Sequence, residues 1–398
     1  MAGVDGQALR SRRWLGVHAL PRRLVHLIPS VDRGGAELSL VRLLARTDRR
    51  RFEPVVVTLL RPGALEDSIR ALNVDIHAVG MQRRAGAVAQ LPRLRKILRG
   101  LAPDVVHCWM YHANALASLL WRTVGKPRIV WNLHHSRLDP ALEHRTTIAI
   151  AKGCRFLTRR VSSIAACSRT GLEMHRRLGY PRDKLVFVPN GYDTSVFQPD
   201  QLARNRIRTE LGIRDDVLLV GITGRYHPYK GHEDFLKMAR LVSNELPGSL
   251  FLMCGRDVTA ENGELGDRIL EIGLQGRVRL LGERDDIPHV MAALDVAVSS
   301  SLVEAFPNAV AEAMACGLPC AVTDVGDSAF LVGNRALVSP VGDFGAQAKI
   351  VSDLLRLPSH ARLQLGDTLR ERIRGQFSIE RMVHAFEAIY EGASPGWP

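Results

Sequence analysis

Long hydrophobic runs are missing from this 398-residue chain: no apolar stretch nears the roughly 18 to 20 residues that cross a membrane as a helix. Residues 1–20 carry Arg10, Arg12, Arg13 and Trp14 but no apolar h-region, so they read as a disordered leader and not as a signal peptide. Cysteine is sparse, and Cys108, Cys154, Cys167, Cys254, Cys316 and Cys320 include no C-x-x-C pair. Most of them lie in apolar, strand-like runs, which suits buried, reduced thiols in a cytoplasmic protein and not a disulfide framework or zinc site. Neither H-E-x-x-H nor a D-x-D pair occurs, so no metal site is expected. Aromatic residues amount to 6%, too few to interleave with the basic residues of a nucleic-acid reader, and no reading motif is present.

Lysine is scarce in the first half, yet positive charge is not. Residues 1–200 hold 33 Lys+Arg against 15 Asp+Glu, a balance of +18, while the remainder balances at −5. The first half therefore points to an anionic partner, whether a membrane surface, a phosphorylated acceptor or a nucleic acid. An arginine-rich genome is the competing explanation.

The length exceeds one ordinary core and predicts two domains. Apolar runs at Leu24–Ile28, Val55–Leu59, Val74–Val79, Val105–Cys108, Ile129–Leu133, Ile164–Cys167 and Leu185–Val188 alternate with helix-period segments. The second half repeats the rhythm at Val217–Thr223, Leu250–Cys254, Val278–Leu281, Val296–Ser299 and Cys320–Thr323. Continuous apolar strands between helices predict an α/β protein with two doubly wound parallel sheets, Rossmann-like domains facing across a cleft. Pro, Asn and Gly cluster through Pro189–Pro199 and mark the break. The expected units are 21–198, 199–376 and a C-terminal helix within 377–398 that returns to the first domain.

Ligands of such sheets bind beyond the strands' carboxyl ends, and four segments stand there. Ser300-Ser301-Leu302-Val303-Glu304-Ala305-Phe306-Pro307-Asn308-Ala309 follows a strand and runs into a helix holding Glu312, stopped by Gly317 and Pro319. The free N–H groups near Asn308 and Ala309 make an anion site, and Glu304 and Glu312 suit vicinal hydroxyls of a sugar or ribose. Gly221 to Gly231 is a strand-to-helix turn whose Gly224 permits close approach, while Arg225 and Lys230 offer charge to a diphosphate. Gly34-Gly35 follow the first strand but lack the G-x-G-x-x-G spacing of a dinucleotide fold. His134 and His135 stand at a strand's end, where either faces the cleft or is satisfied by backbone.

Taken in order over nearly the whole chain, these segments resemble glycosyltransferase family 4, retaining enzymes of the GT-B fold. The resemblance rests on Gly34-Gly35-Ala36-Glu37, His134-His135-Ser136, Val188 to Asp193, Gly224-Arg225 with Lys230-Gly231, and Glu304 to Glu312 with Pro319-Cys320 and Thr323-Asp324-Val325-Gly326-Asp327. It implies that Glu304 touches the transferred sugar and Glu312 the donor ribose, and that Arg225 and Lys230 hold the diphosphate. The backbone of Phe306, Pro307, Asn308 and Ala309 joins them, and Gly34-Gly35 meet the donor from the other domain. His135 acts near the sugar ring, preferred to His134 because a small polar residue, Ser136, follows it, while His134 and Gly224 line the donor site. No cofactor or metal is implied beyond the nucleotide-diphosphate sugar itself, UDP rather than GDP, carrying a hexose or N-acetylhexosamine. The acceptor is a glycan or lipid-linked glycan of exopolysaccharide or lipopolysaccharide synthesis, and the basic first domain suggests a place on the anionic inner face of the membrane. Alternatives are another GT-B enzyme, such as a nucleotide-sugar epimerase or a phosphorylase, and a basic nucleic-acid-binding protein; no specific nucleic acid is expected.

Overall fold

A computed structural model describes residues 20–81, 90–140 and 143–397. The leader read over 1–20 lies, but for Leu20, outside the described residues.

The first sheet has seven parallel strands: β1 (Arg22–Ile28), β2 (Phe52–Thr58), β3 (Asp75–Ala78), β4 (Val105–Trp109), β5 (Arg128–Leu133), β6 (Ser163–Ala166) and β7 (Leu185–Phe187). Their order is β3-β2-β1-β4-β5-β6-β7. The second sheet has six: β8 (Leu219–Thr223), β9 (Leu250–Cys254), β10 (Val278–Leu280), β11 (Val296–Ser299), β12 (Cys320–Thr323) and β13 (Val338–Ser339), ordered β10-β9-β8-β11-β12-β13. Every strand pairing among the described residues is parallel. Each of the twelve apolar runs named above forms a strand. The two-residue β13 has no counterpart among them because two residues set up no pattern.

The strands are apolar because both sheet faces are covered. Leu24 to Ile28 of β1 and Val105 to Trp109 of β4 are buried throughout, including His26 and His107. The six cysteines are free and buried. Each strand order reverses once, between β1 and β4 and between β8 and β11. Such a reversal leaves a crevice at the strands' carboxyl ends, because the flanking connections leave to opposite faces of the sheet.

The chain crosses between the sheets twice. Tyr192 N–H donates to the Phe377 carbonyl (2.9 Å) and Ile379 N–H to the Tyr192 carbonyl (3.0 Å), so outbound and return crossings run side by side. The helix Ile379–Glu391 then buries Met382, Phe386, Ile389 and Tyr390 in the first domain's core, against the helix Gly35–Arg46. Each such side chain contributes about 1.5–3 kcal/mol on burial, which ties the C-terminus to the domain farther along the chain from it.

Candidate active site

The second-domain wall is built where its strand order reverses. After β8 the chain passes Gly224 and Arg225 to a short 3-10 turn, Pro228–Lys230. Gly231 follows at φ +65°, and a Cβ there would sit 1.9 Å from the Ser300 carbonyl oxygen. Glycine is therefore needed to press this turn against the end of β11. The result is a paired cation and carboxylate: Lys230 Nζ lies 2.5 Å from Glu304 Oε1, and Ser301 Oγ donates to the same oxygen at 2.9 Å. Glu304 is mostly buried while Lys230 keeps about a third of its side chain open. Arg225 beside them is exposed, with no hydrogen bond or salt bridge among the described residues. Across the cleft, burial raises the pKa of the Glu37 carboxyl, and Arg225 opposes that shift.

The helix Asn308–Ala315 is capped by Pro307 in extended backbone. Its first own hydrogen bond runs from Ala311 N–H to Pro307 O, so the N–H groups of Asn308, Ala309 and Val310 precede the ladder. The Asn308 side chain is spent between domains, accepting from Tyr192 Oη (2.5 Å) and Asn190 Nδ2 (3.0 Å). A Cβ on Gly35 would lie 3.0 Å from Asn308 Nδ2, so this first-domain glycine abuts the second-domain helix. A Cβ on Gly34 would instead strike the Glu37 carboxylate. Phe306 is buried and stacks on Tyr192 (6.5 Å, 17°). Glu312 is also buried, and it pairs with Arg42 of the helix Gly35–Arg46. The Arg42 guanidinium rests over the Tyr192 ring at 5.0 Å, and its Nη1 is buried without a partner.

On the first-domain wall, His134 and His135 leave β5 in different settings. The His134 ring stacks on Trp109 at 5.5 Å, burial and then the His135 charge hold its pKa down to about 3, and its Nε2 has no partner. The His135 ring lies 5.0 Å from Tyr111, with Nε2 3.7 Å from Glu143; burial lowers its pKa and Glu143 opposes. Ser136 Oγ then donates to the Glu304 carbonyl oxygen at 2.5 Å, which joins the two walls. At the rim Arg33 reaches Asp285 (2.6 Å) and Glu283 (3.7 Å). The structure thus gathers His135, Glu304, Lys230, Gly35 and Asn308, whereas Glu312 and His134 each face a partner of their own.

The profile described as "Glycosyltransferase Family 4" matches residues 33–196, and that described as "Glycosyl transferases group 1" matches residues 217–357. Together they take in both domains and every segment of this cleft. The chain belongs to glycosyltransferase family 4. Among family relatives, the chain is 28% identical over 409 residues to the 2-deoxystreptamine N-acetyl-D-glucosaminyltransferase of Streptomyces fradiae, covering 91% of this chain and 93% of that one. It is 25% identical over 338 residues to the UDP-Gal:alpha-D-GlcNAc-diphosphoundecaprenol alpha-1,3-galactosyltransferase of Escherichia coli, covering 82% and 84%. In fold it matches Anabaena Alr3699/HepE, solved in complex with UDP-glucose, at a TM-score of 0.81 with 20% identity over 93% and 99% of the two chains. The sucrose-phosphate synthase of Thermosynechococcus elongatus matches at 0.77, with 19% identity over 93% and 98%. The fold is GT-B and the activity is glycosyl transfer.

In this family 4 chain, several residues that shape the cleft escape a reading of the sequence. Trp109 and Tyr111 flank Met110, which sits at φ +71°, a turn that sends two aromatic rings under the histidines. A methionine carries no signal for left-handed backbone, so nothing marked the spot. Arg42 looks like one more surface cation of an amphipathic helix until Glu312, 270 residues away, is placed beside it. Among the described residues no three His, Cys, Asp or Glu side chains gather as a metal would require.

Proposed function

We propose that this glycosyltransferase moves a hexose or N-acetylhexosamine from a UDP-sugar to a lipid-linked glycan with retention and without a metal, working on the inner membrane face. The observation that carries the reading is the Lys230–Glu304 pair beside the open Arg225 guanidinium. Lysine has three protons to give, so Lys230 keeps Glu304 and still meets a phosphate oxygen. As the bond from sugar C1 to the diphosphate breaks, negative charge gathers on the leaving oxygen. Lys230, Arg225 and the leading N–H groups of Asn308–Val310 are aimed at such charge in advance, so little reorganisation is needed. The acceptor oxygen bonds to C1 on the face the diphosphate leaves, and its proton passes to the departing phosphate oxygen. Glu304 holds sugar hydroxyls and need not be a nucleophile. UDP is favoured over GDP by the relatives, whose names include a UDP-Gal donor and a UDP-glucose complex.

The acceptor reading draws on a second observation. A cavity of about 720 Å³ opens beside Ser136, with half-buried Leu138, Ile148, Met174 and Leu178 inside; around it stand Lys152, Arg169, Arg137 paired with Asp139, and Arg177 paired with Glu173, so cations outnumber the acids. Apolar walls under a cationic rim suit an amphiphile with a phosphate head. Thermal shift and nucleotide release across UDP- and GDP-sugars in EDTA, with wild type and Glu304→Ala, test the donor. One UDP-sugar that stabilises the wild type, releases UDP only with acceptor and fails in Glu304→Ala is the expected result. Turnover that needs added divalent metal, or equal behaviour of the variant, overturns it.

A further inference from the structure

One carboxylate crosses from the second domain to the first and has no part in the chemistry above. Asp327 stands at the start of the helix Ser328–Val332, where an aspartate ordinarily caps its own helix, but it makes no such bond. Its oxygens instead accept from Arg169 N–H (2.6 Å), Thr170 N–H (3.0 Å) and Thr170 Oγ1 (2.8 Å). These are the first donors of the helix Arg169–Arg177 in the first domain, whose third, Gly171 N–H, goes to its own Ser168 Oγ (3.0 Å). Asp327 is only 2% exposed. Beside it the Arg169 guanidinium lies 3.8 Å from the centre of the Phe330 ring, a second bond across the boundary.

Both ends of this contact lead to the cleft. On the second-domain side, Asp327 N–H donates to the Ala305 carbonyl (3.1 Å), and Gly326, at φ +56°, would put a Cβ 2.3 Å from the Glu304 carbonyl oxygen. The segment is thus pressed onto the Glu304 turn. On the first-domain side, a Cβ on Gly171 would lie 2.8 Å from the His135 carbonyl oxygen. The same helix carries His175, whose Nδ1 donates to the Gly171 carbonyl (2.6 Å) and whose Nε2 accepts from Tyr111 Oη (2.7 Å). Tyr111 is the ring on which His135 rests.

We infer that Asp327 is a positioning residue: by capping the first-domain helix Arg169–Arg177 it clasps the two domains shut and sets the His135 turn against the Glu304 turn. The inference rests on the proposed transfer reaction for its rate consequence, not for its geometry. Opening the cleft exchanges charge-assisted bonds from two helix-end amides, at the positive end of the helix dipole, for bonds to water, so the clasp favours closure.

The test pairs Arg169→Pro with Arg169→Ala. Both lose the guanidinium over Phe330, but only proline removes the N–H that Asp327 accepts. Proline is tolerated at a first helical position, and Ser168 before it is already extended (φ −137°, ψ 149°). The readouts are kcat and KM for the donor, the thermal shift given by UDP, and the distance between spin labels at Lys96→Cys and Lys349→Cys. Arg169→Pro and Asp327→Asn are expected to lengthen or broaden that distance and lower kcat by about 10- to 100-fold, with the UDP shift kept. Asp327→Glu, which keeps the charge, is expected to recover part of both. Arg169→Pro indistinguishable from Arg169→Ala in distance and kcat overturns the inference. Wild type that neither binds nor turns over a nucleotide sugar sinks the transfer reading instead, and the label distance still decides the clasp.

Discussion

The two walls of the cleft grow from the same strand order, yet they hold their functional groups by different forces. The second-domain wall is ionic: Lys230, Glu304 and Ser301 bond one another within a single switch point. The first-domain wall is aromatic: His134 lies on Trp109 and His135 on Tyr111, and burial keeps both imidazoles toward the neutral form. Under the proposed transfer, fixed charges on one wall answer the developing phosphate charge, while shape and a neutral donor or acceptor on the other suit a sugar ring and an uncharged acceptor oxygen.

The contrast breaks most sharply at Lys230. Lys230→Met strands the Glu304 carboxylate and removes a cation from the proposed diphosphate site, so kcat/KM for the donor is expected to fall about 10²- to 10³-fold. Steady-state kinetics check it, and retention of a tenth of the activity would count against an ionic wall. On the aromatic side, His135→Ala is expected to lower kcat about 100-fold while the UDP thermal shift stays. His134→Ala separates the two histidines: transfer by the folded protein stays near wild type, but about 1–3 kcal/mol of stability is lost with the Trp109 stack. Chemical denaturation alongside kinetics distinguishes these outcomes.

Acidification sharpens the same difference. His26 and His134 are each held down to about 3, chiefly by burial, whereas in the unfolded chain both sit near 6.5. Between pH 6.5 and 3 the unfolded chain binds protons that the fold refuses, so stability falls as pH falls. It is complete above 6.5, and each group costs about 1.4 kcal/mol per pH unit within the window. Denaturation midpoints from pH 7 to 5 should drop, and His134→Asn should flatten the slope; an unchanged slope would mean that the ring is not held neutral. The smallest effect belongs to the rim. Arg33→Ala breaks a well-exposed pair with Asp285 and is expected to change stability by less than about 1 kcal/mol, with the residual difference vanishing in high salt.

Residues near in sequence were legible, and residues joined across the fold were not. Twelve apolar runs announced twelve strands because a doubly covered sheet demands unbroken apolar character. The Gly224–Gly231 and Glu304–Glu312 segments announced themselves by standing at strand ends with charge and glycine at close spacing. Pattern failed where partners are far apart: Ser136 and Glu304 are 168 residues apart, and Asp327 and Thr170 are 157. Nothing local distinguishes an aspartate that caps its own helix from one that caps another domain's.

The sequence by itself therefore determined the two parallel sheets, the family, and which residues stand at the strands' carboxyl ends, since strand apolarity and turn composition are local properties of the chain. Only the tertiary structure decided that Glu312 meets Arg42, that His134 turns to Trp109 while His135 turns to Tyr111, and that Asp327 spans the boundary. Those choices depend on which groups far apart in the chain are brought together as the sheets pack and the domains meet, which no local pattern encodes.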